Sequence, residues 1–504
     1  MKNKHITLLP AWRGEGGPFG CAQDGLRPDE GRNLGKLAPL TRRSAAPSPR
    51  RAGRGALMLA TLLFAACTVG PPYQRPNVPV PDQFYAVPAS SDVASLADVF
   101  DDPVLHSLID EALKNGYDVR IAAARVEEAR ARYGIAGSAR FPDVSAQAIG
   151  GVGRQNGETG AALTASVAAS WEVDLWGRIR RLNEAARAQY LASEEGQRAV
   201  QLALVAEVAS AYFDLRELDA ELDIAKRSTS AFQNTFDLFN RRLEGGTASA
   251  LETNRAQALL ANAAAQIPLI EANIVATENE ISLLTGRVPG PIPRGSFLSD
   301  QTIPTVIATG LPSALLLRRP DVRAAEQQLI AANANIGVAQ AAFYPTVSLG
   351  ALLSEGRAWR VTADAFAPLF NGGRIRNQRR VAVAQFNAAL AQYEQSVTGA
   401  LADVSTSFVA VEKLALADAE RQRALHANQE AVRLANLRYS SGLSAYFEVL
   451  DAMEQFLAAE NATARTHRDR LIAIVDLYRA LGGGWESPST TTQNAPAGGG
   501  EIHQ

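Results

Sequence analysis

The sequence is poor in the residues from which disulfide frameworks and metal sites are built. Among 504 residues there are two cysteines, Cys21 and Cys67, and five scattered histidines. Two cysteines outside any CxxC motif exclude a disulfide framework, and no two histidines have the spacing of metal ligands. The sequence also contains no nucleophile–base set and no phosphate-binding loop. It therefore predicts no enzyme, no cofactor and no metal site.

A large net charge and long apolar runs are missing as well. Fifty Lys and Arg residues against 52 Asp and Glu residues give a formal net charge of −2. A chain so close to neutrality has no electrostatic footprint for nucleic acid. No uncharged apolar stretch reaches the length of about 18 residues that a membrane span needs. The sequence therefore predicts no membrane-spanning helix.

The best apolar run, residues 56–66, has the features of a secretory signal peptide. Arginines precede it, small residues end it, and Cys67 follows directly. This order describes a signal peptide, and a cysteine directly after the cut resembles a bacterial lipoprotein signal. We expect acyl chains on Cys67, although Phe64 departs from the usual leucine. The alternative is an ordinary signal cut near Ala66.

The most informative feature that is present is an internal repeat. The GRIR segment at Gly177 recurs 196 positions later at Gly373, and the segment around Gly246 recurs around Gly442 at the same offset. Earlier segments of the two halves are 203 positions apart. The two offsets differ by seven residues, which predicts a longer loop or hairpin tip in the first copy. Two copies of one unit imply a pseudo-symmetric fold.

Each copy contains one predicted β-hairpin. Apolar and polar residues alternate with period 2 over 143–175 in the first copy and over 346–370 in the second. A glycine-rich stretch at 150–160 indicates the tip of the first hairpin. The alternation predicts four strands with one apolar and one polar face.

Uninterrupted helical patterns make up most of the rest. Nothing breaks a helix from Arg178 to about Asn240 or from Arg374 to about Tyr439, and ~60 residues make a rod of roughly 90 Å. A second helix follows each rod, with Pro268 expected to kink the first. Apolar stripes in register between the copies predict coiled-coil-like seams. They are Gln201, Val205, Val208, Tyr212 and Leu215, and Val397, Leu401, Val404, Phe408 and Val411.

These patterns divide the chain into six segments. Proline-rich composition excludes helix from the arm and the linker. The predicted segments are an over-extended start plus signal peptide (1–66), an extended arm (67–100), repeat 1 (101–286), a Pro-rich linker (287–320), repeat 2 (321–482) and a disordered tail (483–504).

Four strands are too few to close a membrane barrel. In lipid every backbone polar group must be bonded internally, so strands cross only as a closed barrel, and the smallest have roughly eight strands. Three chains supply about 12 strands, while the strand count alone also allows two chains. The long helical rods need neighbours too, and a threefold assembly satisfies both needs.

Five segments carry a family resemblance. They are CTVGPPYQRP from Cys67, SWEVDLWGRIRR (170–181), LLLRRPDVRAAEQQL (315–329), PLFNGGRIR (368–376) and YRALGGGW (478–485). In these five segments the chain resembles the outer membrane factor family. Within this TolC-like group it is similar to the lipoprotein branch, which includes OprM and NodT-type channels. The resemblance covers residues 67–485.

The resemblance implies a fold that is mainly α with a β membrane part. A long α-helical barrel continues a trimeric 12-stranded transmembrane β-barrel, with four strands per chain. The implied function is a passive exit duct for drugs and toxic solutes across periplasm and outer membrane. The implied partners are a periplasmic adaptor, an inner-membrane pump of the resistance-nodulation-division type, and outer-membrane lipid around a homotrimer. The alternative is the outer-membrane channel of a type I protein secretion system, which has the same architecture.

The resemblance also places a periplasmic aperture at the two helix–glycine–helix turns. Glu448 and Asp451 would form two acidic rings across a trimer. The alternative is that they are acids favoured by the helix dipole. Glu252, and Tyr439 beside Arg438, lie where the family uses polar links to hold the aperture shut. A solvated turn is the alternative for these residues.

Glycines and aromatic residues complete the expected sites. Gly246 and Gly442 are expected to adopt left-handed caps and to form the adaptor-docking surface. Gly177 and the pair Gly372-Gly373 are expected to let a strand turn into a helix. Aromatic residues that flank the strands predict either a girdle at the membrane boundary or packing at the barrel-to-helix junction. They are Trp171, Trp176, Phe141, Phe343 and Phe370.

Overall fold

The structure is a computed structural model, and it describes residues 68–79, 81, 100–155, 158–301, 318–354 and 358–483. All of them belong to one compact unit, Leu63–Gln504. Cys67, the signal region before it and the tail from residue 484 lie outside the described residues. Acylation of Cys67 therefore stays a prediction.

The described elements follow each other in two similar series. The first is α1 (Pro103–Asn115), α2 (Tyr117–Ser138), β1 (Asp143–Gln155), β2 (Glu158–Val173), α3 (Arg178–Glu244) and α4 (Ala250–Thr285). After a 3-10 turn at Leu298–Asp300, the second is α5 (Pro320–Ala341), β3 (Thr346–Ser354), β4 (Ala358–Phe366), α6 (Arg374–Ser440) and α7 (Phe447–Ala480). The fold is mainly α with a smaller β part, which confirms the predicted class.

The repeat is visible in the lengths of the elements. Helices α3 and α6 both contain 67 residues and start 196 positions apart. Helices α2 and α5 both contain 22 residues and start 203 positions apart. The extra length of the first copy lies in its hairpin, where β2 has 16 residues and β4 has nine. The sequence predicted a longer loop or hairpin tip, and the structure shows a longer hairpin whose strands contain the inserted residues.

The strands form one antiparallel sheet in the order β1-β2-β3-β4. The predicted hairpins extended to residues 175 and 370, but the strands end at Val173 and Phe366. In the first copy the reason is Asp174. Its carboxylate accepts the backbone N–H groups of Ile179 at 3.1 Å and Arg180 at 2.9 Å. It caps the start of α3, and the chain leaves the sheet there.

The strand register separates apolar from polar side chains across the whole sheet. Val167 lies opposite Ala146 on one side and opposite Leu353 on the other, and Leu353 lies opposite Trp359. Successive residues of a strand point to opposite faces, so one face is apolar. The other face carries Ser145, Gln147, Thr164, Ser166, Ser170, Glu172, Ser348, Thr362 and Asp364, with Ile149, Leu352 and Phe366 as exceptions. On the apolar face, Arg154 near the tip of the first hairpin is an exception. The apolar face is exposed in the single chain.

Helix α3 forms the centre of the core. Its predicted seam is confirmed, because Val208, Tyr212 and Leu215 are fully buried. The hydroxyl of Tyr212 donates to the carboxylate of Asp102 at 2.8 Å, and the same carboxylate caps α1 by accepting the N–H of Val104 at 2.9 Å. A seam residue of α3 is thereby fastened to the start of α1.

Helix α6 is much less covered than α3, although the two helices are equal in length. In its seam Val397 and Val404 are fully buried, whereas Phe408 and Val411 are only half-buried. The sequence pattern is the same in both copies, so the difference comes from the neighbours that each helix has within one chain. One side of α6 is left uncovered.

Helix α4 is a long helix in which apolar residues predominate. Among the described residues it is long and apolar enough to cross a membrane, by length and composition. Most of its apolar stretch is uncovered in the single chain. Its uncharged stretch is bounded by Arg255 and Glu271 and is shorter than the length of a membrane span that the sequence prediction requires. The helix continues through Pro268 and exposes Leu269 and Val275. Uncovered apolar surface of this kind is normally covered by a neighbouring helix.

Shorter helices meet end to end beside the long ones. Where α4 ends, a Cβ on Gly286 would lie 2.6 Å from the carbonyl oxygen of Asn115, so the two chain segments touch. Where α7 ends, Arg319 donates to the carbonyl oxygen of Ala480 at 3.1 Å. Arg319 also pairs with Asp321 at 2.7 Å and with Asp403 at 3.0 Å. It thereby ties α5, α6 and α7 together.

Residues 68–79 run as an extended arm along the helices. The N–H of Val69 donates to the carbonyl oxygen of Trp176 at 3.1 Å, and the amide of Asn333 donates to Pro71 at 3.1 Å. A Cβ on Gly70 would lie 2.5 Å from the Cα of Gly337. The close backbone contact therefore requires glycine and holds the arm on α5.

Candidate functional site

The helical hairpins α3–α4 and α6–α7 end in the same type of turn. Gly246 and Gly442 both have φ +72°. In the first turn the N–H of Gly246 bonds to Leu243 at 3.0 Å and the N–H of Thr247 bonds to Arg242 at 2.8 Å, and the second turn repeats both bonds at 2.9 Å. This is the Schellman motif. A Cβ at either glycine would meet nothing within 4 Å, so the positive φ requires the glycine. The predicted left-handed caps are confirmed.

Glu252 has a local role at the start of α4. Its backbone N–H donates to the hydroxyl of Ser249 at 3.3 Å, and its carboxylate accepts the N–H of Ser249 at 2.9 Å. The two residues form a capping box, which satisfies two backbone donors that the helix leaves free. In a single chain Glu252 thus stabilises its own turn. Its part in holding the aperture shut stays a prediction.

Glu448 and Asp451 lie together on an exposed part of α7. The residues between them, Val449 and Leu450, are buried against Phe239 of α3. Burial of these two side chains fixes the orientation of the first turn of α7, so that Glu448 and Asp451 both point to solvent. The two carboxylates share one face, as their spacing predicts.

Arg438 connects the end of α6 to the start of α7. Its guanidinium lies 3.2 Å from the carboxylate of Glu448, and both side chains are about half exposed. An exposed pair of this kind contributes roughly 0–1 kcal/mol. The pair therefore orients Glu448 rather than holding the hairpin together.

Tyr439 makes a stronger link, from α6 to α3. Its hydroxyl accepts a hydrogen bond from the guanidinium of Arg242, whose central carbon lies 5.5 Å from the centre of the tyrosine ring. The Tyr439 ring also meets Tyr446 edge to face, with 4.7 Å between centroids. The Tyr439 side chain is thus held both by a hydrogen bond from a charged donor and by contact with a second aromatic ring.

Tyr446 anchors this arrangement in the core of the tip. Its hydroxyl lies 3.0 Å from that of Thr235, and its ring lies 4.6 Å from that of Phe239. Burial raises the pKa of Tyr446 above its ordinary value, so the hydroxyl stays protonated. We call Thr235, Phe239, Arg242, Tyr439 and Tyr446 the tip cluster. It joins α3 to α6 and to the start of α7.

Sequence reasoning identified Tyr439 but missed Arg242, Thr235 and Tyr446. A signal for Arg242 was present, because the offset of 196 pairs it with Arg438. For Tyr446 the repeat gives no signal, since its counterpart in the first copy is Ala250.

A second group of charges lies where α3 meets α7, far from the tip. Glu217 and Glu221 of α3 face Arg465 and Arg468 of α7, with 2.6 Å between Arg465 and Glu221 and 3.8 Å between Arg468 and Glu217. The Glu217 side chain is 5% exposed. Burial, and then the neighbouring Glu221, raise the pKa of Glu217 to about 7. This contact between the two helical hairpins therefore changes charge near neutral pH.

The aromatic residues at the sheet-to-helix junction are of two kinds. The indole N–H of Trp176 donates to the carbonyl oxygen of Pro345 at 2.7 Å, and its ring stacks on Tyr344 at 4.8 Å. The indole N–H of Trp171 donates to the carbonyl oxygen of Arg140 at 3.0 Å. The indole groups of these two tryptophans thus donate hydrogen bonds to backbone carbonyl oxygens at the junction.

The phenylalanines of the same group point outwards. Phe141 is 71% exposed and Phe370 is 92% exposed, and Phe343 is also exposed. In a single chain they take no part in the packing of the junction. An aromatic girdle at the membrane boundary stays a prediction for them.

Both repeats match a known family. The sequence profile described as "Outer membrane efflux protein" matches residues 108–287 and 311–483. The two matched segments contain both helical hairpins and the sheet, and end within the linker on each side.

Individual proteins are similar over nearly the same length. The chain is 34% identical over 459 residues to the solvent efflux pump outer membrane protein SrpC of Pseudomonas putida, covering 85% of this chain and 97% of that protein. It is 31% identical over 450 residues to the cation efflux system protein CusC of Escherichia coli O157:H7, covering 84% and 97%. The open-state MtrE outer membrane channel of Neisseria gonorrhoeae matches with a TM-score of 0.74 at 31% identity, covering 83% of this chain and 98% of that chain.

Proposed function

This chain belongs to the outer membrane efflux protein family, and from that premise we propose that three copies of it form the exit duct of a tripartite efflux system. It is an outer-membrane efflux channel that extends into the periplasm. The family and the named relatives are channels rather than enzymes. The duct is therefore passive, and another component supplies the energy for transport.

One observation carries this proposal: the sheet has an apolar face, a polar face and two free edges. The apolar face suits lipid and the polar face suits a water-filled lumen. The free edges of β1 and β4 must be paired, because unbonded backbone groups are not tolerated in the hydrocarbon region. Three sheets of four strands give twelve strands.

The directions of the strands allow such closure. β1 leaves the helical end of the sheet after α2, and β4 returns to that end before α6. A β4 strand beside the β1 strand of another copy is therefore antiparallel to it. The alternation of direction continues from copy to copy without a break, as in outer-membrane barrels.

The helices supply the periplasmic part of the duct. Helices α3 and α6 have 67 residues each and are about 100 Å long at 1.5 Å per residue. The uncovered sides of α4 and α6 require neighbours. Packing of these sides between copies would close an α-helical barrel continuous with the sheet.

The tips of the helical hairpins form the periplasmic aperture in this proposal. Three copies place the carboxylates of Glu448 and Asp451 in two rings, which attract cations and repel each other when the bore narrows. Tyr439 of the tip cluster holds α6 to α3, and Glu252 fixes the adjacent turn. The turns at Gly246 and Gly442 are the outermost features of the hairpins and form the adaptor-docking surface.

The proposed partners are a periplasmic adaptor and an inner-membrane pump of the resistance-nodulation-division type. Among the relatives, SrpC is named for solvent efflux and CusC for cation efflux. We propose small toxic solutes as cargo, with the pump selecting among them.

Deletion of the gene tests this function. The deletion strain should become sensitive to at least one class in a panel of solvents, drugs and metal ions. The chain expressed from a plasmid should restore resistance. If sensitivity is unchanged and a protein disappears from the culture medium instead, the channel serves secretion and the efflux proposal is wrong.

A further inference from the structure

Two of the most exposed apolar side chains among the described residues are neighbours in the connection from β4 to α6. Leu369 is 97% exposed and Phe370 is 92% exposed. Phe141 lies at the same end of the sheet, just before β1, and is also largely exposed. β1 and β4 are opposite edges of the sheet, so these residues do not meet within one chain. Exposed apolar groups at both edges indicate a contact that one chain leaves incomplete.

The chain itself contains an example of the completed contact. In the connection from β2 to α3, Trp176 bonds to the carbonyl oxygen of Pro345 and stacks on Tyr344. Tyr344 and Pro345 directly precede β3, which is the neighbour of β2 in the sheet. β2 runs towards the helical end of the sheet, and β3 starts there. The aromatic residue after β2 thus packs on the aromatic–proline pair before β3.

The repeat extends this relationship to the free edges. Tyr344 and Pro345 correspond to Phe141 and Pro142, at the offset of 203. The β4–α6 connection corresponds to the β2–α3 connection. At the offset of 196, Trp176 corresponds to Gly372, and the aromatic residue of the β4–α6 connection is Phe370, two positions earlier. Within one chain Phe370 has no strand equivalent to β3 beside it, because β4 is the last strand of the sheet.

We propose that Phe370, together with Leu369, docks on Phe141 and Pro142 of a second copy of this chain. This contact, the subunit clasp, closes the joint between β4 and the β1 strand of the next copy at the helical end of the sheet. The clasp rests on the proposed closed assembly, because only there do the two edges meet. It covers apolar surface that is otherwise exposed at the joint.

Charges beside the clasp are complementary across the joint. Asp143 begins β1 and Arg374 begins α6, and neither has an ion-pair partner within the part of the chain that the structure describes. In the first copy, the equivalent arginine is Arg178, and its carboxylate partner Glu172 lies 2.7 Å away. The second copy has Pro368 in place of this glutamate. Asp143 of the next copy can supply the missing carboxylate.

A pair of cysteines tests the clasp in the full chain in outer-membrane vesicles. Phe141→Cys combined with Phe370→Cys should give covalent dimers and trimers on boiled, non-reducing gels after mild oxidation, because a disulfide requires Cα atoms within about 7 Å. Each single variant should give no such bands. The matched control is Trp176→Cys combined with Tyr344→Cys, which should cross-link within one chain and leave its mass unchanged.

The outcome separates the clasp from the assembly on which it rests. The double cysteine variant could form trimers on an unboiled gel and yet run only as a monomer on the boiled gel. That result would overturn the clasp and would leave the proposed duct unaffected. Monomers only on the unboiled gel of the parent protein would overturn the duct itself.

A second measurement covers the case in which the double variant does not assemble. A fluorophore on Phe370→Cys alone should be shielded from quenchers attached to lipid chains, whereas one on Trp359→Cys, on the apolar face of β4, should be quenched. Equal quenching at the two positions would mean that Phe370 contacts lipid, and the clasp would be wrong. In addition, Phe370→Ala should lower the temperature at which the trimer dissociates, and Trp359→Ala should leave it unchanged.

Discussion

Arg242 donates its guanidinium hydrogen bond to Tyr439 of the other helical hairpin, although its counterpart in the repeat, Arg438, pairs with Glu448 within its own hairpin. The same residue type at the same position of the repeat thus has two roles. One arginine joins the two hairpins of a chain, and the other orients an acid at the tip. The two turns are alike in backbone and different in the contacts of their side chains.

Tyr439→Phe should open the aperture. The substitution removes the acceptor of the Arg242 bond and keeps the ring that meets Tyr446. Loss of a hydrogen bond to a charged group costs roughly 1.5–3 kcal/mol, and each 1.4 kcal/mol changes a population about tenfold. We expect a larger single-channel conductance and greater uptake of a large antibiotic. Arg241→Gln, next to Arg242, is the control and should change neither.

Glu448→Gln combined with Asp451→Asn should reduce the preference of the channel for cations in planar bilayers. The double variant removes both proposed acidic rings and keeps the shape of the side chains. Glu430→Gln on α6 should leave selectivity as it is, since Glu430 pairs with Arg433 on its own helix. Selectivity that persists in the double variant would rule out the rings.

The thermal stability of the trimer should fall as the pH rises towards and through 7. The folded protein holds the pKa of Glu217 at about 7, against an ordinary value of 4.5. The folded chain therefore binds a proton that the unfolded chain has released, and this contribution is complete below pH 4.5 and lost above 7. Glu221, Arg465 and Arg468 face the same carboxyl.

Glu217→Gln stays neutral and should flatten this dependence when melting temperatures are measured from pH 5 to pH 8. Asp223→Asn, at an exposed carboxylate paired with Arg227, should keep the slope of the parent protein. Equal slopes for the parent and the Glu217 variant would show that Glu217 does not titrate in this range.

Val167→Asp should prevent assembly in the outer membrane, whereas Ser166→Asp should be tolerated. The two residues are adjacent in β2 and point to opposite faces of the sheet. A charge on the lipid face of a barrel destabilises it by up to about 2–4 kcal/mol per copy for Arg or Lys and by less for Asp, and a trimer carries it in every copy, while a charge in the lumen faces water. Trimers on unboiled gels of membrane fractions provide the measurement. Equal trimer yields would contradict the assignment of the faces.

Gly442→Ala should destabilise the α6–α7 hairpin by about 1–2 kcal/mol, because a Cβ-bearing residue resists the left-handed conformation. Gly399→Ala should instead stabilise the protein. Gly399 lies inside α6 with nothing within 4 Å of an added Cβ, and alanine in a helix interior is favoured over glycine by roughly 1 kcal/mol. Thermal unfolding of both variants tests the comparison.

Local periodicity predicted most of the fold. The 196-residue offset anticipated that α3 and α6 have equal lengths, and period-2 alternation anticipated the two faces on which Val167 and Ser166 lie. The alternation is a relation between neighbours in sequence, and the offset is a comparison of two copies of the same sequence pattern. The bond between Arg242 and Tyr439 joins residues 197 positions apart, and no local pattern encodes it. The pairing of Trp176 with Pro345 was missed for the same reason.

The junction at Arg319 has a mechanical consequence. Helices α3 and α6 are unbroken from the sheet to the tip. We therefore expect a rotation of either helix at the tip to be transmitted to the strand that precedes it. Helix α7 stops at Ala480, where Arg319 donates to its carbonyl oxygen and where apolar side chains of α5, α6 and α7 lie in one buried cluster. No described strand adjoins α7 in the chain, so a rotation of its tip end reaches the sheet only through contacts with neighbouring helices. We therefore expect α7 to move at the tip with less displacement of the strands than α3 or α6 would cause.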